Sequence, residues 1–375
     1  MEHFNDKIKI LNDISDGKYK TFLSLRTELK EILVSLQKMK GGIEKNMGIL
    51  ETFTITIAKF EKVYKGILYD KDKLNYDYIS IKEKSDIYIL IGQIYSILSS
   101  YINDANYEYN AIKYYSRYHT LLQNYKVHDS LRKSNYAIVY SFRSYNKYSL
   151  GDLINDTITV VHPSKMNDPF DSIANLWKKK ENLCNITGRK GHEEIFEKSM
   201  DFYRIRSFCA NRDTFESDNS ILEKIRMWSF YADNHKGFCI KYRLGNKFIK
   251  YIDENECCAL RLAPVTYEKE WTIDNNTHSL NTYDAYFVKN KEWESEREVR
   301  LLSYNTKSAE KHYGEPMGED VQIEEIVFGY LCPVEHMQTI VNLLKLKQKK
   351  ICFYKMNMKQ EKNIYKLVKE VYNLE

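Results

Sequence analysis

The sequence predicts an α+β protein in two parts: an N-terminal all-helical domain over residues 1–133, then a mixed α/β domain over 134–375 with a central, largely antiparallel sheet. Three observations predict it. All five prolines, Pro163, Pro169, Pro264, Pro316 and Pro333, fall after residue 162, so the first third lacks the strongest helix breaker. That same third repeats apolar residues at helical spacing. From Tyr136 onward the pattern changes to short β-rich runs separated by turns.

In FLSLRTELKEILVSLQKM, Phe22, Leu25, Leu29, Ile32, Leu33 and Leu36 form one stripe. A second stripe runs from Leu50 to Tyr69. A third, SDIYILIGQIYSILSSYI, is expected to be capped by Ser85 or Asp86, and NYEYNAIKYYSRYHTLLQNY supplies a fourth. The third and fourth resemble one tetratricopeptide-type hairpin, with Ile91, Gly92 and Tyr95 facing Ala111, Ile112 and Tyr115. No second copy recurs at a fixed period, and a plain helical bundle fits as well. Such a module suits sensing, docking or homo-oligomerisation.

In the second part AIVYSFRSYN reads as a strand, KYSLGDLINDT as a short helix, and TITVVHPSKMNDPFDS as a strand entering a loop. RIRSFCANR, GFCIKYRL, CALRLAPVTY, EVRLLSY, EEIVFGY and KKICFYKM are further strand candidates. Helices are expected at EEIFEKSMDFY and HMQTIVNLLKL.

A net charge of +5, from 57 basic and 52 acidic residues, is too balanced to be a nucleic-acid footprint by itself. All seven cysteines lie beyond residue 183 with no C-x-x-C pair, which argues against a disulfide framework or a zinc site. No basic start leads into an apolar h-region and no stretch approaches eighteen apolar residues, so a soluble cytoplasmic protein with no membrane partner is expected.

The segment WESEREVRLLS, Trp293 to Ser303, carries the most chemistry. On a strand, Glu296 and Glu298 would share one face and Arg297, Val299 and Leu301 the other, so two carboxylates would converge. A solvated face whose acids pair with Arg300 has an equal claim. Arg143 stands in a strand between Phe142 and Ser144, and the loop Asn167, Asp168, Pro169, Phe170, Asp171 joins turn formers to two acids whose first reading is backbone capping. Trp228, Tyr231 and His235 precede a Gly237 turn, as a stacking platform or as the wall of a core helix.

Taken together, YSFRSYN, HPSKMNDPFDS, MWSFYADNHKGFCIKY, WESEREVRLLS and IEEIVFGY resemble the bacterial domain-of-unknown-function family 2971 over about residues 136–355. Val299 departs from it, standing where the family usually has an aromatic. The resemblance implies a component of bacterial antiphage-defence or abortive-infection loci, a toxic effector joined to a sensing module with a phage-derived trigger. It does not imply a reaction.

The order of parts is also similar to that of ADP-ribosyltransferases, although no Ser-Thr-Ser strand motif is present. On that reading NAD is the substrate. Arg143 holds its phosphates, Trp228, Tyr231 and His235 flank the nicotinamide, and Glu298 is catalytic. Glu296 orients a protein or nucleic-acid acceptor or acts as base, beside Asn167, Asp168 and Asp171. A metal-dependent nuclease is the alternative, with Asp168, Asp171, Glu296 and Glu298 gathering magnesium and Lys165 or Arg300 steadying a phosphate. A third reading is a non-enzymatic module that recognises a phage component.

Overall fold

The computed structural model describes residues 18–38, 47–68, 81–102, 104–125, 131, 134–166, 195, 198, 201–251, 258–269, 285–308, 310–347 and 350–373. The chain divides into two compact units. One comprises Met1–Lys126, Lys179–Phe202 and Asp253–Cys257, the other Val127–Lys178, Tyr203–Ile252 and Cys258–Glu375.

The first unit contains α1 (Lys18–Gln37), α2 (Met47–Leu68), α3 (Ile81–Tyr101) and α4 (Ala105–Tyr125). The stripe Leu25, Leu29, Ile32, Leu33 and Leu36 is buried, as its spacing predicts. Gly92 lets α3 and α4 approach closely, since a Cβ there would lie 3.0 Å from the Tyr115 ring. Tyr95 stacks on Tyr114 at 5.7 Å. The cap expected at Ser85 or Asp86 is corrected. The helix begins at Ile81, Ser85 is buried within it, and Asp86 pairs with Arg26 at 2.5 Å.

The second unit is a mixed α+β structure around a ten-stranded, mostly antiparallel sheet. Its strands are β1 (Tyr136–Arg143), β2 (Thr157–Val161), β3 (Tyr203–Cys209), β4 (Phe238–Gly245), β5 (Cys258–Pro264), β8 (Glu298–Asn305), β9 (His312–Pro316), β10 (Val321–Phe328), β11 (Cys352–Glu361) and β12 (Ile364–Val371). The spatial order is β12-β11-β10-β4-β1-β3-β2-β9, and β8 pairs with both β3 and β5. Only β10 and β11 run parallel within it. Two short strands, β6 (Thr266–Glu268) and β7 (Val288–Asn290), pair separately.

Seven of the eight residues of β1 are buried, which explains its near-continuous apolar run. One face of the sheet, with Val139, Ile240, Leu262, Val299 and Leu301, packs against α5 (Lys147–Asn155) and α8 (Val334–Leu346) through Leu153, Met337 and Ile340. The other face, with Ile138, Tyr140, Phe142, Cys239 and Val327, packs against Met227 and Trp228 of α6 (Ile225–Tyr231). A short α7 (Asn246–Ile249) follows β4. The helix expected over EEIFEKSMDFY lies largely outside the described residues. Among the described residues no helix is long and apolar enough to cross a membrane.

The described cysteines, Cys209, Cys239, Cys258, Cys332 and Cys352, are free thiols. After α6 the chain turns through Asp233, Asn234 and His235, all with left-handed backbone, a conformation these residue types tolerate. Gly237 closes the turn. A Cβ there would lie 2.1 Å from the carbonyl oxygen of Arg143, so only glycine fits.

Candidate active site

Glu296 and Glu298 do converge, but not by strand alternation. Glu296 is the last residue of a 3₁₀ helix, Lys291–Glu296, whose start Asn290 caps by accepting from the Glu292 amide at 2.9 Å. Arg297 then takes a left-handed backbone with φ 51°, and Glu298 opens β8. The expected placement of both acids on one strand is therefore corrected. The reversal at Arg297 brings the two carboxylates together, and the Arg297 side chain leaves to pair with Asp218 at 2.9 Å.

Both acids are buried, at 6% exposure for Glu296 and 3% for Glu298. They share one ammonium. Lys289 on β7 reaches Glu296 Oε2 at 2.6 Å and Glu298 Oε2 at 3.0 Å, and lies over the Trp293 ring at 4.9 Å. Glu298 Oε1 accepts from Ser207 at 2.6 Å and from Arg300 Nε at 2.7 Å. Its Oε2 receives a longer bond of 3.2 Å from Arg300. Glu296 Oε1 accepts from the Tyr231 hydroxyl at 2.7 Å. Two carboxylates and two cations thus neutralise one another in a buried cluster, the condition under which buried charge persists.

Burial alone would raise the pKa of Glu298, but the charges of Arg300 and Lys289 overcome it and bring the pKa down to about 2. Burial works against the charge of Lys289, and the two glutamates outweigh it, holding its pKa above the ordinary lysine value. Burial and the hydrogen bond to Glu296 push the Tyr231 phenol well up, so it stays a donor.

The cluster forms one wall of a cavity of about 340 Å³, a size that suits a small ligand. A parting of the sheet creates it. The edge of β3 opposite β8 meets β1 at the pair Tyr140 and Cys209, but meets β2 at Val161 and Ile205. Between those points Arg206, Ser207 and Phe208 have no register partner on that edge among the described residues. All five residues Ile205–Cys209 line the cavity, together with Tyr140, Phe142, Val161, Lys165 and Met166.

Residues 227–301 match the model of the family described as a protein of unknown function, DUF2971. No curated protein and no solved structure matches the chain. The DUF2971 match runs from α6 into β8 and takes in Tyr231, Lys289, Trp293, Glu296 and Glu298. It leaves outside it the β1, β2 and β3 residues on the facing side of the cavity.

The other expected site residues are placed differently. Trp228 lies in the DUF2971 match but is fully buried, donates to the Leu222 carbonyl at 2.7 Å and packs edge-on against Phe142 at 5.0 Å. It is a core residue rather than a stacking platform, because its indole nitrogen is already satisfied inside the fold. His235 stacks behind Trp228 and lies within 3.2 Å of the Ser229 hydroxyl, away from the cavity lining, and burial lowers its pKa. Tyr231 is on the cavity wall.

Arg143 does not line the cavity. By strand alternation it falls on the sheet face opposite Tyr140 and Phe142, where it pairs with Asp152 of α5 at 2.8 Å. Asp152 also accepts from Thr157, and from the Thr159 amide at 3.0 Å. The expected contact of Arg143 with a ligand beside the glutamates is corrected accordingly. Asn167, Asp168 and Asp171 lie outside the described residues.

Sequence reasoning missed Lys289, Ser207, Arg206 and the role of Trp293. The one local signal was a lysine four residues ahead of the tryptophan that opens the acidic motif. Among the described residues no group of three or more His, Cys, Asp or Glu side chains is gathered as a metal site, and a cation reaching Glu296 and Glu298 would have to displace Lys289.

Proposed function

We propose that the second unit cleaves NAD, passing the ADP-ribosyl group to water or to an acceptor on a protein or nucleic acid. The observation that carries this reading is the convergence of two buried glutamates on one lysine in the wall of a ligand-sized cavity. Breaking the bond between nicotinamide and ribose sends its electron pair to the departing nicotinamide and leaves an oxocarbenium cation. Permanent negative charge next to that carbon stabilises it.

Glu298 is suited to the part because Arg300 and Lys289 keep it ionised. Of its oxygens, Oε1 is fixed by Ser207 and Arg300, whereas Oε2 is held chiefly by the shared lysine. A swing of Lys289 onto Glu296 frees Oε2 for a ribose hydroxyl. Glu296 then takes the proton from the attacking water or acceptor as its oxygen bonds to the anomeric carbon. Trp293 and Tyr231 offer aromatic walls for the nicotinamide.

The resemblance to the defence-associated family, extended over about residues 136–355, supports a cytoplasmic antiphage effector. The helical first unit, with its tetratricopeptide-like α3–α4 hairpin, fits a sensor for a phage-derived trigger or a surface for homo-oligomerisation.

The test is incubation of purified protein with nicotinamide-labelled and adenine-labelled NAD, with and without cell lysate, beside Glu298→Gln, Glu296→Gln and an EDTA control. Nicotinamide release that survives EDTA and disappears in folded variants is expected. Absence of turnover in both preparations, or loss of turnover on chelation, overturns the reading.

A further inference from the structure

Strand β12 closes one end of the sheet, and its outer edge pairs with no described strand. Sheet edges are ordinarily guarded by brevity, proline or charge, because their N–H and C=O groups template another strand. The strand at the far end, β9, is guarded in this way, being short and ending at Pro316. Strand β12 runs over the eight residues Ile364–Val371 without proline or glycine. Three of its apolar side chains stand in solvent, Ile364 and Tyr365 at 61% exposure and Val371 at 69%. Of its two lysines, Lys369 is engaged by Glu325 and lies over the Tyr354 ring, while Lys366 is exposed.

The ladder with β11 fixes which backbone groups of β12 face outward. The Tyr372 amide donates to the Phe353 carbonyl at 2.9 Å, so the even-numbered residues along this strand bond to β11. The odd-numbered ones, Tyr365, Leu367, Lys369 and Val371, therefore turn their N–H and C=O groups to the outer edge. An antiparallel copy of the same strand must set odd against odd, which leaves few registers. Centred on Val368, the strand opposes Ile364 with Tyr372, Tyr365 with Val371 and Lys366 with Glu370, each twice. Apolar thus meets apolar and cation meets anion on both sides of the centre. A centre at Lys366 sets that lysine against itself, and one at Leu367 sets Ile364 against Glu370. Glu370 is held by Lys359 at 2.7 Å and by Asn357, and strand alternation puts it on the face that carries Lys366.

We propose that β12 is a homodimer interface, at which two copies of the chain join antiparallel about a two-fold axis through Val368 and extend one sheet across both. The contact is isologous, so every side-chain pair on one side of the axis recurs on the other. Outward backbone groups supply the hydrogen bonds and the side-chain pairs select the register. The interface is independent of the NAD reading, since none of these residues lines the cavity.

The experiment is sedimentation velocity of the full chain over a concentration series, with a melting curve for each variant. Wild type is expected to form a dimer that dissociates on dilution. Lys366→Glu sets two acids against each other twice and should weaken the dimer about tenfold or more. Adding Glu370→Lys to it restores the opposite-charge pairs and the dimer with them. Tyr365→Pro removes an outward N–H without touching the ladder to β11 and should leave monomer.

Mild oxidation fixes the register. Val368 falls on the axis as a non-hydrogen-bonded pair, its two Cα atoms about 4.5 Å apart and within reach of a disulfide. Val368→Cys should therefore yield a covalent dimer that wild type does not. Lys366→Cys should not, because its two copies lie roughly 13 Å apart along the strands. A wild-type chain that stays monomeric at every concentration overturns the proposal. So does a dimer that Lys366→Glu leaves unchanged and Val368→Cys does not cross-link, for then another face carries it. Should Tyr365→Pro fail to fold, the charge exchange and the cross-link decide.

Discussion

The Tyr231 hydroxyl donates to Glu296 Oε1 at 2.7 Å, tying the end of α6 to the end of the 3₁₀ helix that leads into β8. Glu296 has Lys289 on its other oxygen, so the phenol decides which way the carboxylate turns. Tyr231→Phe keeps the ring and removes the bond. It should cost about 1.5–3 kcal/mol in stability, the range for hydrogen bonds to charged groups, and reduce NAD turnover more than NAD affinity. A melting curve and a separation of kcat from KM check both parts. A fall confined to KM would place Tyr231 in binding alone.

Glu298→Gln removes the anion that faces Arg300 and Lys289 inside the fold. Breaking a buried pair costs roughly 3–5 kcal/mol, so this variant should melt well below wild type as well as lose activity. Urea denaturation measures it. An unchanged midpoint would mean that water reaches the cluster and that its charges are not paired in solution.

Acid should weaken the second unit through the same group. The pKa of Glu298 is depressed in the folded protein, from 4.5 to about 2. Its stabilisation is therefore complete above pH 4.5 and lost as pH falls through the folded value, giving a decline between about 4.5 and 2. Denaturation midpoints across that window should show the decline in wild type and a smaller one in Glu298→Gln. Parallel curves would remove Glu298 as its source.

Asp152→Ala strands Arg143 on the far face of the sheet and leaves Thr157 and Thr159 without their acceptor. A loss of roughly 3–5 kcal/mol is expected, the cost of a buried charge left unpaired. Thermal unfolding with Arg143→Met and the double variant checks it. The double variant should be more stable than Asp152→Ala, since it removes the orphaned charge together with its partner.

Gly237→Ala places a methyl 2.1 Å from the Arg143 carbonyl oxygen, against backbone that has nowhere to move. A loss above roughly 4 kcal/mol or failure to fold is expected. Soluble expression and circular dichroism decide it, and a well-folded variant would show that the turn after α6 can open.

The central strands were legible because burial on both faces leaves apolar runs such as AIVYSF, and the first helices because Leu25, Leu29, Ile32 and Leu36 keep one stripe. Strand β12 was not, since Ile364, Tyr365 and Val371 are exposed and mark no buried face. The glutamate pair was found for an incomplete reason. Glu-x-Glu reads as strand alternation, and nothing local reveals that Arg297 turns left-handed. Arg206 escaped notice because Ser141 comes from a distant strand, and Lys289 because the turn that folds it back onto Glu296 and Glu298, seven and nine residues on, leaves no local pattern. Trp228 and Arg143 were misplaced because sequence does not say which face of a strand or helix meets a core and which a cavity.

The parting of β1 from β2 on the edge of β3 separates two design variables. Glu298 is anchored by β8, which is ladder-bonded on both sides to β3 and β5, and Glu296 by the 3₁₀ helix leading into it, while the opposite wall is furnished by Val161, Lys165 and Met166. If the proposed function holds, ligand preference is adjustable by substitution at those three positions, leaving the glutamate cluster and its supporting hydrogen bonds untouched. Libraries confined to that wall are the economical way to retarget the cavity.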